Sequence, residues 1–252
     1  MNQSFILGSE AELRRKQLAR LTVIATAALD VFTRDGFNSA QVADVAKKAG
    51  LSVGTLYLYA DSKQALFELA VRAAALGADV SRDVDLATLP LCALGMDATA
   101  VLLADMIHQR ARWPVLKAAL RAVAPRDADA EIAAIVGELF DLLSRARTMI
   151  WLLDRCAWEL PQLRDVYVEG VRKPYFGDIA LYVRKRRRTP PGTRRQDPAA
   201  IGRALVEMVA FMAMHHARQP VALPFDTAAA RGACIAIASG GLLGTRLTFS
   251  RT

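Results

Sequence analysis

The chain predicts an all-α fold, and three observations carry the prediction. Apolar residues recur at three- and four-residue steps along most of its length. The breaks between these periodic stretches hold glycine, proline or a capping serine or aspartate, and no segment calls for a sheet. The expected architecture is an N-terminal three-helix bundle containing a helix-turn-helix, residues 10–62, followed by a larger C-terminal helical bundle, residues 63–245, with a basic loop at about 187–198.

The first helix is expected from Glu10 to Arg34, where Leu18, Leu21, Ile24, Ala25, Ala28, Leu29 and Phe32 share one face and Gly36 ends the run. A short second helix follows from about Gln41 to Ala49, burying Val42, Val45 and Ala46. Gly50 then supplies a sharp turn before Ser52, a good N-cap for the third helix. Asp61 or Ser62 caps the fourth, which runs through Leu66, Phe67, Leu69 and Ala70 to about Asp79 and joins the two domains without a flexible linker. Breaks at Asp83 to Pro90, Pro114, Pro125, Pro161, 189–198 and Pro220 to Pro224 divide the remainder. Between them lie long apolar-faced helices near Glu131 to Trp158, Gln162 to Arg186, Pro198 to Arg218 and Phe225 to Leu242, for roughly ten helices in all. The segment RKRRRTPPGTRRQDP, residues 184–198, combines like charges with prolines and is expected to be a solvated inter-helix loop.

Composition narrows the function classes. With 252 residues and 53% hydrophobic content the chain can bury a large core, which excludes disorder as its global state. A formal charge of +8 and a pI near 9.7 favour an anionic partner. Cys92, Cys156 and Cys234 lie far apart, with no pair at the spacing of a zinc site or redox motif, so a reducing cytoplasm is the expected location. No export signal or membrane span is expected: the N-terminal apolar run is short and precedes its basic residues, and stretches such as VLLADMI fall below the roughly 20 clean residues a bilayer requires.

The stretch most able to carry a function is QVADVAKKAGLSVGTLYLYADSK, residues 41–63. A helix-turn-helix places its second helix in the major groove, where the first turn reaches base edges while neighbouring groups hold phosphates. In that turn Ser52 and Thr55 can form hydrogen bonds, Val53 and Leu58 can touch thymine methyls, and Gly54 allows close approach. Tyr57 and Tyr59 are two apart and cannot both face inward, so at least one is expected to donate to phosphate. Lys63 adds charge at a helix N-terminus already suited to a phosphate. The structural alternative for these residues is a capping serine with core-packed tyrosines. Arg14, Arg15, Lys16 and Arg20 form either a basic arm toward DNA or a solvated face alternating with Glu10 and Glu12.

The segments AALDVFTRDGF, DVAKKAGLS and GTLYLYADSK, in this order and spacing between Leu21 and Leu66, resemble the N-terminal domain of the TetR family of bacterial transcriptional regulators. The resemblance implies that Gln41 begins the supporting helix, that Ser52, Val53, Gly54, Thr55, Tyr57, Leu58 and Tyr59 face DNA, and that Lys63 clamps the backbone. The chain departs from the family pattern in two places. Ala40 and Gln41 stand where a threonine followed by serine or threonine is usual, so that Ser39 is expected to replace the cap and Gln41 the phosphate contact. Ala60 stands where phenylalanine is usual, which predicts thinner packing between the recognition helix and the next.

The segments WELPQLRDVYVEGVRKPYFGDIALYV and DPAAIGRALVEMVAFM resemble the C-terminal region of AcrR-like members. In that group the last long helices form a twofold dimer interface, and the helices before them enclose an inducer pocket. A dimer also follows from the reading geometry, since one recognition helix covers only a few base pairs and two related by symmetry read a palindrome. The interface is expected on Leu205, Met208, Val209 and Met212, with a face of the preceding helix or of Phe225 to Leu242. An effector pocket is expected to be lined by Met106, Phe140, Met149, Trp151 and Trp158, large adaptable side chains suited to a small apolar or amphipathic molecule, although ordinary core packing accounts for each of them too. Any of Asp105, Asp154 and Glu159 facing inward would favour a cationic effector.

Catalytic and metal readings find little support. His108, His215 and His216 lack metal-site spacing, no serine or cysteine elbow accompanies them, and GGLLG near the end lacks the strand-turn-helix setting of a phosphate loop. No enzyme activity, metal or cofactor is expected. The sequence predicts a homodimeric regulator that binds a palindromic duplex and loses it when an effector binds. Alternatives are an activator, a regulator without a ligand, and a protein-interaction module that does not read DNA.

Overall fold

The computed structural model describes residues 3–77, 80, 84–186, 197–219 and 225–242. Among them every regular element is helical: α1 (Gln3–Ser39), α2 (Val42–Ala49), α3 (Val53–Tyr57), α4 (Lys63–Leu76), α5 (Met96–Arg110), α6 (Pro114–Arg121), α7 (Ala128–Cys156), α8 (Pro161–Arg164), α9 (Lys173–Arg186), α10 (Pro198–Ala210) and α11 (Thr227–Leu242). The chain divides into two compact units, residues 1–107 with 148–167, and residues 108–147 with 168–252. Thus α4, most of α5 and the end of α7 lie in the same unit as the helix-turn-helix.

In the first unit α1 begins before its expected start, and the periodic face of Leu21, Ile24, Ala25, Ala28 and Phe32 is fully buried. Gly36 adopts φ +83°, ψ 177° and breaks the helical geometry where the sequence places a stop. The rings of Phe32, Phe37 and Phe67 cluster just there, with centroids 5.1 to 6.0 Å apart. Ser62 caps α4 by accepting from the Ala65 amide at 3.2 Å. That helix is then buried nearly all round, including Glu68, whose Oε1 accepts from the Leu94 amide at 2.9 Å and the Thr99 hydroxyl at 3.0 Å.

The segment before α5 also folds back onto the α3–α4 joint. Leu91 donates its amide to the Tyr59 carbonyl at 2.9 Å and accepts the Asp61 amide at 3.0 Å, forming an isolated parallel bridge with Ala60. Ala60 itself is fully buried, with this backbone strap beside it where a larger side chain is usual.

In the second unit α6 is held at both ends by charged side chains. Glu138 of α7 accepts the amides of Val115 at 2.8 Å and Leu116 at 3.1 Å, satisfying N-terminal donors that a helix cannot satisfy itself. Arg186 of α9 donates to the carbonyls of Ala119, Ala122 and Val123 and pairs with Glu131 at 2.8 Å, while Lys185 donates to Leu120 at 2.8 Å. The start of the basic run is therefore a C-terminal cap for α6 rather than solvated loop. Its remainder, 187–196, lies outside the described residues, as does the end of the α4 segment near Asp79. Along α9, α10 packs closely enough that a Cβ at Gly202 would come within 2.7 Å of the Ile179 Cγ2. The run from Pro161 to Arg186 is helical throughout, as expected, but passes through π-helical turns at Asp165–Arg172. Phe211–His215 continues α10 in the same way.

Candidate nucleic-acid interface

The recognition helix is short, and its start is fixed by its own sequence. The Ser52 Oγ accepts the Thr55 amide at 3.1 Å and lies 2.8 Å from the Thr55 hydroxyl, so both polar side chains of the first turn are ordered by the cap. Gly50, at φ +67°, turns α2 into this segment, with its amide directed to the Ala46 and Lys47 carbonyls. Leu56 is the anchor: it is fully buried, while Val53, Tyr57 and Leu58 are 39%, 43% and 67% exposed. Three large side chains left in water on one five-residue helix and its end make a compact contact surface. Gly54 belongs to it, since an added Cβ there would meet nothing nearer than the Ser52 Oγ at 3.9 Å. The fold does not need this glycine, and the space over it is open.

Tyr59 departs from its expected place. It is only 8% exposed and sits at the α3–α4 joint with the strap on its carbonyl, so it packs while Tyr57 faces solvent. Two residues apart on a helical turn, the pair divides between core and surface. Gln41 is exposed and begins α2, but it makes no side-chain cap, and neither does Ser39, which ends α1; the Gln41 amide group instead donates to the Ser39 carbonyl at 3.3 Å. Lys63 directs its ammonium to the Asn38 carbonyl at 3.0 Å and lies over the Phe37 ring at 5.1 Å. One of its three N–H donors is used in this way. Lys47 and Lys48 add charge on the exposed side of α2, Lys48 paired with Asp30 at 2.8 Å. On the N-terminal part of α1, Glu12 pairs with Arg15 and Lys16, as on a solvated face.

Sequence reasoning missed Arg155 and Glu159 as parts of this region. The Glu159 carboxylate accepts the Asn38 amide at 2.7 Å and the Arg155 guanidinium at 3.0 Å, so it is tied to α1 rather than facing an effector. Asp154 accepts the Tyr167 hydroxyl at 2.9 Å, and Asp105 is exposed. Of the expected pocket residues, Met106, Phe140 and Met149 are buried and Trp151 is half-buried, but Trp158 is 74% exposed. It falls in the turn after α7 rather than on an inner helix face, and lines no interior. In the second unit an open groove of about 490 Å3 between α9 and the start of α10, lined by Leu181, Arg184 and Pro198 among others, includes none of these five.

The dimer residues also divide. Leu205 and Val209 are buried where α10 lies along α9, whereas Met208 and Met212 are partly exposed. A helix with one apolar stripe toward its own core and a second toward water cannot be resolved from periodicity alone. Among the described residues no group of three or more histidine, cysteine or acidic side chains is arranged to hold a metal, and no helix is long and apolar enough to cross a membrane.

No curated protein matches the chain. Among solved structures it is similar to one given as a TetR-family transcriptional regulator from Mesorhizobium loti MAFF303099, at 19% identity over 89% of this chain and 95% of that one, with a TM-score of 0.43. It is also similar to the fatty acid degradation regulator FadR from Bacillus halodurans, at 16% identity, 88% and 96% coverage and a TM-score of 0.41. A transcriptional regulator from Saccharomonospora viridis, solved in complex with choline, aligns at 15% identity, 92% and 97% coverage and a TM-score of 0.43. At these identities and scores none of the three assigns a function. Residues 24–70, which span the helix-turn-helix and its supports, match the family model described as bacterial regulatory proteins, tetR family, so the amino-terminal domain carries the pattern of that family.

Proposed function

We propose that the protein is a cytoplasmic, ligand-responsive repressor that binds a palindromic operator as a homodimer. The observation that carries the DNA-reading part is the α3 surface. Val53, Tyr57 and Leu58 stand in water beside a capped first turn, although burying them would stabilise a module with no partner. The reading surface comprises Ser52, Val53, Gly54, Thr55, Tyr57 and Leu58, with Gln41 and Lys63 on phosphates; Tyr59 supports it from beneath. The activator and ligand-independent readings share this surface and differ only in events away from it.

Two features support a homodimer. Ala204, Met208, Phe211 and Met212 recur at helical spacing on the outer side of α10, with Phe211 exposed. Ala229, Ala233, Ala236 and Ile237 form a similar stripe on α11, a helix whose one charged residue, Arg231, pairs with Asp141 at 3.0 Å. Apolar stripes of this kind suit a self-complementary interface. An apolar or amphipathic effector goes with the buried Met106 and Met149 and the half-buried Trp151, which adapt readily to a ligand. Its binding would shift the dimer toward a spacing of reading heads that does not fit the operator.

Selection from a random duplex library at near-physiological salt tests the proposal. The wild type is expected to enrich a palindrome, and the double variant Thr55→Ala, Tyr57→Phe to bind it much less well. Salt-sensitive binding without enrichment, indifferent to the two changes, would leave only non-specific attachment and favour a protein-interaction module.

A further inference from the structure

The entrance to α2 is where a TetR-like module is expected to take a phosphate, yet here it has no local cap. Gln41 stands at the N-cap without a side-chain bond to the helix, and Ala40 and Ser39 supply none. The entry residues are held from far along the chain instead. The Glu159 Oε2 accepts the Asn38 amide at 2.7 Å, and the Asn38 carbonyl accepts the Lys63 ammonium at 3.0 Å. Asn38 is thus gripped on one side by the turn after α7 and on the other by the candidate phosphate ligand.

Arg155 completes the grip. Its Nη1 donates to the Glu159 Oε1 at 3.0 Å, its Nη2 to the Asp35 carbonyl at 2.6 Å and its Nε to the Arg34 carbonyl at 3.4 Å, which satisfies the end of α1. The grip lies directly against Gly36, which the chain needs for its φ of +83°: an added Cβ would collide with the Glu159 Oε1 and lie 2.9 Å from the Arg155 Cζ, so that both side-chain ends would have to shift. The guanidinium also offsets the Glu159 charge, which unpaired would repel a phosphate close by.

We infer that Arg155 and Glu159 are positioning residues for DNA binding: through Asn38 they set the entrance of α2 and the Lys63 ammonium in place for the phosphate backbone. The inference rests on the DNA-reading function proposed above. Neither side chain is a base-reading group. Their effect is on affinity and its salt dependence, shared by all sequences.

Anisotropy titrations of the duplex selected by the wild type, over a series of salt concentrations, test this with Glu159→Ala, Glu159→Gln, Lys63→Ala and the double variant Glu159→Ala, Lys63→Ala. Glu159→Ala is expected to weaken binding roughly tenfold, as loss of a charged hydrogen bond would. It should also lower the salt slope by about the 0.9 that Lys63→Ala removes. The double variant should be scarcely weaker than either single one, because both act on one contact. Glu159→Gln, which keeps an acceptor for the Asn38 amide, should recover most of the affinity. If alanine unfolds the chain, Glu159→Asp, one methylene shorter, carries the same comparison. Losses that multiply in the double variant, with an unchanged slope for Glu159→Ala, overturn the inference while leaving DNA reading intact. A wild type that selects no duplex removes the proposed function, and the inference with it.

Discussion

At the scale of single residues, the side chains that decide most are not those with the plainest sequence signal. Gly36 reads as a helix stop, and it is one, but its φ of +83° and the adjoining Arg155 and Glu159 make it a second kind of requirement. Gly36→Ala is expected to cost about 1–3 kcal/mol in urea unfolding, from the left-handed conformation together with displacement of the grip; a cost near zero would show that the segment relaxes freely. Glu68 gives a pH prediction. Burial raises its carboxyl above the ordinary 4.5, against the lowering effects of the Thr99 and Leu94 hydrogen bonds and the Arg72 charge. The folded chain therefore holds this proton more tightly than the unfolded one. The stabilising effect is complete below the unfolded value and is lost as pH rises from there through the folded pKa. Glu68→Gln keeps an acceptor for both donors and removes the titration. Its melting temperature should gain on the wild type as pH rises from about 4.5 through the raised folded pKa; a constant difference would contradict the assignment. Cys156 is pushed up to about 12, first by burial and next by the Glu159 charge, and should resist alkylation in the folded state.

Helices were legible in the sequence because their signals are local. Ser52, Ser62, Gly50 and Gly36 cap or end the elements they were expected to, and the four long C-terminal helices match their expected ranges closely. What could not be read depends on partners distant in sequence. No local pattern announces that Leu91 pairs with Ala60, that Glu138 and Arg186 cap the two ends of α6, or that Glu159 reaches Asn38. The spacing of Tyr57 and Tyr59 excludes burial of both and leads to the expectation that both face DNA; that Tyr59 packs instead goes with the strap bonded to its carbonyl, a partner distant in sequence. The α6 caps can be tested as a unit. Arg186→Leu removes the partner of Glu131 and of three carbonyls at a largely buried site, and is expected to destabilise the chain by about 3–5 kcal/mol in chemical unfolding. A loss under about 0.5 kcal/mol would place this arginine among ordinary surface residues.

For the whole molecule, the account depends on two reading heads acting together. The apolar stripes on the outer sides of α10 and α11 supply the reason to expect pairing, and α3 supplies the surface that pairing would bring to DNA twice. Phe211→Glu tests the first of these, because Phe211 is exposed in the single chain and its replacement leaves the core untouched. Sedimentation of this variant should show monomer where the wild type shows dimer; an unchanged dimer would move the interface elsewhere. The central claim, that the exposed α3 surface reads DNA in duplicate, is tested most directly by titrating the selected palindrome and its isolated half-site with wild type and Leu58→Asp. Leu58 is 67% exposed, so the substitution spares the fold and acts only on a bound partner. Two chains per palindrome are predicted, with much weaker binding to the half-site and a loss of at least roughly tenfold for Leu58→Asp. Equal affinity of wild type and variant, or of palindrome and half-site, would contradict the account.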